Sequence, residues 1–356
     1  MPRRRCGRSM MPKLSNLDLE ISNPCNERCI HCYRTCEQTK QGFLSLNDVH
    51  KIFEDIKTIR EERISVLLTG GEVLLNKDWR KILVYSMEQN ARVSLFSNGS
   101  LISEDDVQFL SRFNGNPNFK EVQISLYSLK SEIHDVITGL KGSCEKSLKV
   151  IDELKSAGVK VFVSCPVMKK NLPVIADLMR YMDNAGINSC ADLFIFPNSD
   201  YKAKNLALRL SVDDLDAFYA ETSKNNFELG YVWGHEHQQE NIFERLFYGA
   251  AANGILVSGN GDIYPMIGWY EKIGNIHENS IKDVFLDHPL LDRCRQIKIG
   301  DFAECRKCND IGYCSFCPTT HLTANHGELG KLNKDYCEFV HFVKKMAERR
   351  NKEKVG

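Results

Sequence analysis

Fourteen cysteines sit in 356 residues, and their gathering near the two ends of the chain constrains the fold more than any other feature. Cys6, Cys25, Cys29, Cys32 and Cys36 stand at one end, and Cys305, Cys308, Cys314, Cys317 and Cys337 at the other. Cys144, Cys165, Cys190 and Cys294 are scattered between. No apolar segment followed by a small-residue cleavage site opens the chain, and no apolar stretch reaches the ~18–20 residues a membrane span requires. A cytoplasmic protein is therefore expected, with no membrane partner. In that reducing compartment clustered thiols are more often metal ligands than disulfides.

Between the clusters, short β-branched or aromatic runs alternate with helix-like segments. Strands are expected at Leu17–Ile21, Ile64–Leu68, Val93–Phe96, Val122–Leu126, Val159–Val163 and Asp192–Phe196. Ser45 to Asp48, Ser103 to Asp106 and Ser211 to Asp214 carry the S-x-x-D helix-start pattern, and a helix over Ser143–Ala157 ends at Gly158. Six strand–helix units in series predict an α/β fold, a partial (β/α)6 TIM-type barrel over residues 13–215. Residues 216–249 read as a helical bridge, and residues 250–356 as a small Cys-rich α+β domain. Lys plus Arg and Asp plus Glu are both 47, so no net charge favours nucleic acid as a partner.

Cys25, Cys29 and Cys32 follow the first strand in a C-x3-C-x2-C loop. Three thiolates are one fewer than a closed zinc site needs, whereas a [4Fe–4S] cluster on three cysteines keeps one iron open. Zinc completed by His31 or Cys36 is the plainer alternative. Thr69-Gly70-Gly71-Glu72, Ser97-Asn98-Gly99 and Ser125-Leu126-Tyr127 then close the next three strands. Each alone reads as a turn or a cap. Together they mark one face, since chemistry on such a barrel sits at the carboxyl ends of its strands.

With these motifs the chain resembles the radical SAM superfamily over residues 13–215. That resemblance implies that Cys25, Cys29 and Cys32 bind three irons and that S-adenosylmethionine chelates the fourth. It also implies that Gly70, Gly71 and Glu72 meet the methionyl amine, Asn98 and Ser125 the ribose or carboxylate, and the backbone around His31 the adenine. The chemistry is then the cofactor's: one electron cleaves a C–S bond, and a 5′-deoxyadenosyl radical abstracts hydrogen from an unactivated carbon. A reductant such as flavodoxin or ferredoxin is implied as a partner.

Two C-x2-C pairs, Cys305/Cys308 and Cys314/Cys317, would by themselves suit a zinc ribbon. Beside the first half of the chain they resemble the SPASM extension, which carries auxiliary [4Fe–4S] clusters. Asn260-Gly261-Asp262-Ile263-Tyr264-Pro265 and Ile273-Gly274-Asn275-Ile276 resemble its lead-in. By that pattern Cys305, Cys308, Cys314 and Cys337 form the outer cluster, with Cys294 as a less favoured substitute ligand. The inner one keeps only Cys317, because Met266 and Gly249-Ala250-Ala251 stand where cysteines are usual. At least one auxiliary cluster is expected. Ile267 replaces the Asp that sulfatase-maturating relatives use as a base, which argues against formylglycine formation.

Among single residues, Cys165 is the candidate hydrogen donor if the substrate is epimerised, with Cys190 second. Both also suit the commonest fate of a free thiol, a small buried hydrophobe. His235 and His237 suit an exposed loop, and Trp233, Trp269 and Tyr270 suit core packing or a substrate groove. The stretch His134-Asp-Val-Ile-Thr-Gly139 resembles peptide-maturing members, so a ribosomally made peptide is the expected substrate, epimerised or crosslinked through C–C or thioether bonds. With the first ligand at Cys25 there is no room for a leader-binding domain ahead of the barrel, and a separate leader-binding protein is expected. A small-molecule substrate (tetrapyrrole, quinone cofactor precursor or sugar) is the enzymatic alternative. A zinc-binding interaction module is the non-enzymatic one.

Overall fold

The computed structural model describes residues 11–34, 41–199, 202, 204–223, 241–269, 271–314 and 318–355. Six parallel strands run in chain order across the sheet: β1 Leu14–Ser22, β2 Arg60–Gly70, β3 Arg92–Ser97, β4 Phe119–Ser125, β5 Val161–Pro166 and β6 Asn188–Asp192. The helices between them are α1 Leu46–Ile56, α2 Trp79–Glu88, α3 Glu104–Ser111, α4 Ser131–Thr138, α5 Ser143–Ser156 and α6 Ile175–Asn184. The expected start signals operate as read. The Ser45 and Ser103 side chains accept from the N–H groups of Asp48 and Asp106 in reciprocal capping boxes. Ser211 does the same with Asp214 at 3.2 Å, opening α7 Val212–Ser223.

The period of two along each strand sorts its side chains. Leu17, Leu19 and Ile21 of β1 are fully buried in one hydrophobic core with Ile52 and Phe53 of α1, Leu83 of α2 and Leu154 of α5. Asp18, Glu20 and Ser22 alternate with them and so occupy the other face. On β4 and β5 that second face carries Gln123, Ser125 and Ser164, all of which line the cavity described below. A helix-facing apolar wall and a polar inner wall are the division a barrel with an internal site requires.

Two expectations shift. The fifth strand spans Val161–Pro166, and the sixth spans Asn188–Asp192 rather than Asp192–Phe196. The apolar run Leu193–Phe196 leaves the sheet. Phe194 packs edge-on against Tyr336 at 5.2 Å, and the Arg209 guanidinium lies 4.0 Å from its ring centre. Hydrophobicity there serves a wall and not a strand.

The sheet does not stop at residue 250. After α8 Gly249–Asn253, β7 Gly254–Val257 pairs parallel with β1, and the antiparallel β8 Asp262–Tyr264 and β9 Gly274–Asn275 complete nine strands in one sheet. The helices α9 Ile281–Asp287, α10 Pro289–Cys294, α11 Ala303–Arg306, α12 Pro318–Ala324 and α13 Lys334–Val355 follow. The C-terminal part docks on the barrel through polar groups. Asp55 on α1 accepts from Ser280 Oγ at 2.9 Å and from the Ile281 N–H that opens α9, while Lys51 Nζ donates to Ile276 O at 2.5 Å. Of the expected bridge over 216–249, Trp233, His235 and His237 lie outside the described residues. No described helix is long and apolar enough to cross a membrane.

Candidate active site

A cavity of about 340 Å³ opens at the carboxyl ends of β1–β6. Cys25, Cys29 and Cys32 line it, as do His31, Gly70, Gly71, Asn98 and Ser125. The motifs that sequence alone placed at successive strand ends therefore meet in one space.

The loop carrying the three cysteines is held where it leaves β1. Gly71 N–H donates to Ser22 O at 2.7 Å and Glu72 N–H to Pro24 O at 2.9 Å. A side chain on Gly70 would strike Ser22 O, and one on Gly71 would strike Pro24 O and Asn23 O. The two glycines let β2 close against the cysteine loop, so their first requirement is backbone approach. Further along, Arg28 N–H donates to Thr138 O at 2.7 Å and Ile30 N–H to Ile137 O at 2.9 Å, tying the loop to α4.

The thiols lie close enough to feel one another's charge, and burial raises Cys25 and Cys29. Glu27 N–H points at Cys25 Sγ, 3.4 Å away, and Asn98 Nδ2 lies 4.0 Å from the same sulfur. Three thiols lining one cavity, the Cys25 sulfur served by N–H donors, fit a cluster that uses three thiolates and leaves one iron open. Among the described residues no three metal-ligand side chains converge tightly enough for a single ion. A cluster of separate irons does not ask them to.

Glu72 departs from expectation. Its carboxylate is fully buried and accepts from Leu74 N–H at 3.1 Å, Ser97 Oγ at 2.8 Å and Asn98 N–H at 2.9 Å. It is not among the residues lining the cavity. Burial raises its pKa while those donors pull it back. Its action on the site runs through the Ser97 hydroxyl and the backbone N–H of Asn98. Cys165 departs as well. It lies within β5, fully buried in the core, with the cavity-lining Ser164 and Pro166 on either side of it. Alternation turns its thiol away from the cavity. Cys190 lies inside β6 on the same face as Asp192, opposite Ser164, and burial raises it to about 11.

Asp192, Glu27 and Arg34 gave no sequence signal as residues of the site. Asp192 lines the cavity, accepts from Phe194 N–H at 3.0 Å and is raised by burial to about 6. Glu27, 2% exposed, is raised by burial to about 7, and its Oε1 has no hydrogen-bond partner. Arg34 forms a buried pair with Glu20 at 3.0 Å beneath the loop. His31 packs against Tyr127 with ring centres 4.9 Å apart, and burial lowers it to about 4, which keeps the ring neutral. Ile267, from the C-terminal part, closes one wall. Acidic residues in loops and mid-strand are common, and nothing local announced that these would share a cavity.

In the C-terminal part burial raises Cys305 and Cys337, and Cys308 lies close enough to both for its charge to push in the same direction. Cys314 is half-buried beside the core, and Cys317 lies outside the described residues. Three thiols gathered from two segments fit a second cluster. Met266, Trp269, Phe247, Tyr248 and Ala251 pack into one apolar cluster, which accounts for the positions where inner-cluster cysteines were missing. Cys294 is fully buried within the same cluster.

Comparison with known proteins agrees with this geometry. Residues 19–182 match the Radical SAM superfamily. The antilisterial bacteriocin subtilosin biosynthesis protein AlbA of Bacillus subtilis (strain 168) is 25% identical over 334 residues, covering 90% of this chain and 70% of AlbA. An AdoMet-dependent heme synthase of Oleidesulfovibrio alaskensis is 27% identical over 169 residues, covering 47% of this chain and 42% of the synthase. Streptococcus suis SuiB, solved bound to its precursor peptide SuiA, superposes with a TM-score of 0.65 at 18% identity, over 85% of this chain and 71% of SuiB.

Proposed function

This chain is a radical SAM enzyme, and from that premise we propose that it modifies a ribosomally synthesised peptide by epimerisation or by C–C or thioether crosslinking. The observation that carries the proposal is the extent of the likeness to AlbA. It runs over 90% of this chain, whereas the heme synthase matches cover 47% to 62% of it. A shared barrel speaks for shared cofactor chemistry. Likeness that continues through the C-terminal cysteines speaks for a shared class of substrate, by analogy.

In this reading Cys25, Cys29 and Cys32 hold a [4Fe–4S] cluster, and Gly70, Gly71, Asn98, Ser125 and the His31 backbone surround S-adenosylmethionine. When bound, the pair supplies a 5′-deoxyadenosyl radical. The chain's own contribution is placement and exclusion. Phe96, Phe194, Phe196 and Ile267 give the cavity apolar walls that keep water from a reactive radical. Ser164 and Asp192 offer a hydroxyl and a carboxylate to orient a substrate amide. Cys305, Cys308, Cys314 and Cys337 would hold an auxiliary cluster. Electrons would come from a flavodoxin or ferredoxin, and a separate protein would present the leader.

The test is anaerobic reconstitution followed by incubation with short peptides encoded beside the gene, read by mass spectrometry. Loss of two hydrogens supports crosslinking, and uptake of one deuterium from heavy water supports epimerisation. Unchanged peptides together with turnover of a tetrapyrrole would replace this reading with the small-molecule one.

A further inference from the structure

Three consecutive carbonyls of the cysteine loop are captured by one segment that lies far along the chain, beyond β6. Asn205 Nδ2 donates to His31 O at 3.1 Å, and Asn198 Nδ2 donates to Cys32 O at 3.0 Å. The N–H of Ser199 donates to Tyr33 O at 2.7 Å. The two asparagines are themselves joined, Asn205 N–H to Asn198 Oδ1 at 3.3 Å. Each is only 4% exposed, so these amides work away from bulk water and losing one leaves a buried carbonyl bare.

The same segment forms part of the cavity wall. Asn205 Nδ2 donates a second time, to Phe196 O at 2.6 Å, and Phe194, Ile195 and Phe196 all line the cavity. Arg209 braces this wall from behind through Ile195 O at 2.9 Å. One side-chain amide thus links the backbone of the loop to the backbone of the wall.

We propose that Asn198 and Asn205 are positioning residues that set the backbone of His31–Tyr33 for S-adenosylmethionine. The inference rests on the reading that the cavity takes that molecule. The physical reason is the planarity of the trans peptide. Fixing a carbonyl fixes the following N–H in the opposite direction. With His31, Cys32 and Tyr33 carbonyls drawn to the bracket, the N–H groups of Cys32, Tyr33 and Arg34 point away from it. The first of these is seen to do so, donating to Cys29 O at 3.2 Å. The bracket therefore fixes where the Cys32 thiol leaves the chain and how the stretch around His31 faces the cavity.

The test uses the reconstituted full-length enzyme and its Asn205→Leu variant. Iron content, affinity for S-adenosylmethionine by equilibrium dialysis, and the electron paramagnetic resonance spectrum of the reduced cluster with and without it are compared. Asn205→Leu is expected to keep its iron, to bind S-adenosylmethionine about tenfold more weakly, and to lose or alter the spectral change that binding causes in the native enzyme. Asn205→Gln, which restores a donor on a longer arm, should recover part of both. Affinity and spectral change within twofold of native in Asn205→Leu would overturn the proposal. Should that variant lose its iron, the near-isosteric Asn198→Asp, which replaces the donor to Cys32 O by an acceptor, decides on the same two readouts. Native enzyme that binds no S-adenosylmethionine would overturn the reading of the cavity itself, and the inference with it.

Discussion

The two cysteine-bearing regions are built in opposite ways. Around Cys25, Cys29 and Cys32 the interior is polar and electrically uneasy. Asp18, Glu27, Glu72 and Asp192 are all raised above the ordinary carboxylate range, chiefly by burial. Around Cys305 the interior is aromatic. Phe247 packs on Phe302 at 4.4 Å and on Tyr248 at 4.9 Å, and Trp269 is fully buried beside them. The first region holds groups in states that cost stability, which is the mark of a site shaped for chemistry. The second is packed as a core is packed and holds its thiols as a core holds structure. The contrast teaches that equal numbers of clustered cysteines need not mean equal roles.

The largest effect should come from removing a ligand on the reactive side. Cys29→Ala is expected to lose about four irons and to reduce 5′-deoxyadenosine formation to background in a dithionite-driven assay. Its counterpart sharpens the comparison. Cys337→Ala should also lose about four irons while keeping the S-adenosylmethionine-dependent spectral change of the first cluster and some cleavage. Equal loss of cleavage in both variants would break the distinction between a reactive and a supporting region.

Next in size is Glu72→Ala. It leaves the Leu74 N–H, Ser97 hydroxyl and Asn98 N–H without their acceptor in a fully buried place. A loss of about 3 kcal/mol in denaturant unfolding is expected, at the upper end for buried groups left unpaired. Affinity for S-adenosylmethionine should fall with it, because Asn98 lines the cavity. A stable variant with weakened affinity would instead restore direct contact as the role of this carboxylate.

How much of this was legible depended on range. Gly70-Gly71, Asn98 and Ser125 could be read because each motif is local and ends a strand whose period-two pattern announces it. The sixth strand could not. Asn188-Ser-Cys-Ala-Asp192 has little β-propensity, whereas Leu193-Phe-Ile-Phe196 has much, and propensity reports fitness for a half-buried surface of any kind. Here that surface is a cavity wall braced by Arg209. Cys165 misled for a related reason: its place near a strand end was right, and its face, set by a one-residue alternation, was not. The amides of Asn198 and Asn205, and the Glu20–Arg34 pair, join residues distant in sequence, so no local spacing encodes them.

The smallest effect tests the electrical side of the contrast and has a definite sign. Asp18 stands on the inner face of β1, and burial, reinforced by the neighbouring Glu20, raises it from 3.8 to about 7. A carboxylate with a raised folded-state pKa stabilises the fold fully below its unfolded pKa, and that contribution is lost as pH rises through the folded one. Asp18→Asn removes the group whose ionisation is resisted. The variant should match the native chain near pH 4 and exceed it in stability by about 2 kcal/mol at pH 8, with the difference growing between those limits. The figure is set below the full shift because the side chain keeps partial contact with solvent. Glu20 stays paired with Arg34 at 3.0 Å, so the substitution leaves that buried pair in place. Chemical denaturation across this pH range reads the result directly. A gain of the same size at pH 4 and pH 8 would mean that packing, not charge, governs the inner wall. The polar interior under the first cysteine loop would then differ from the aromatic C-terminal core in composition alone.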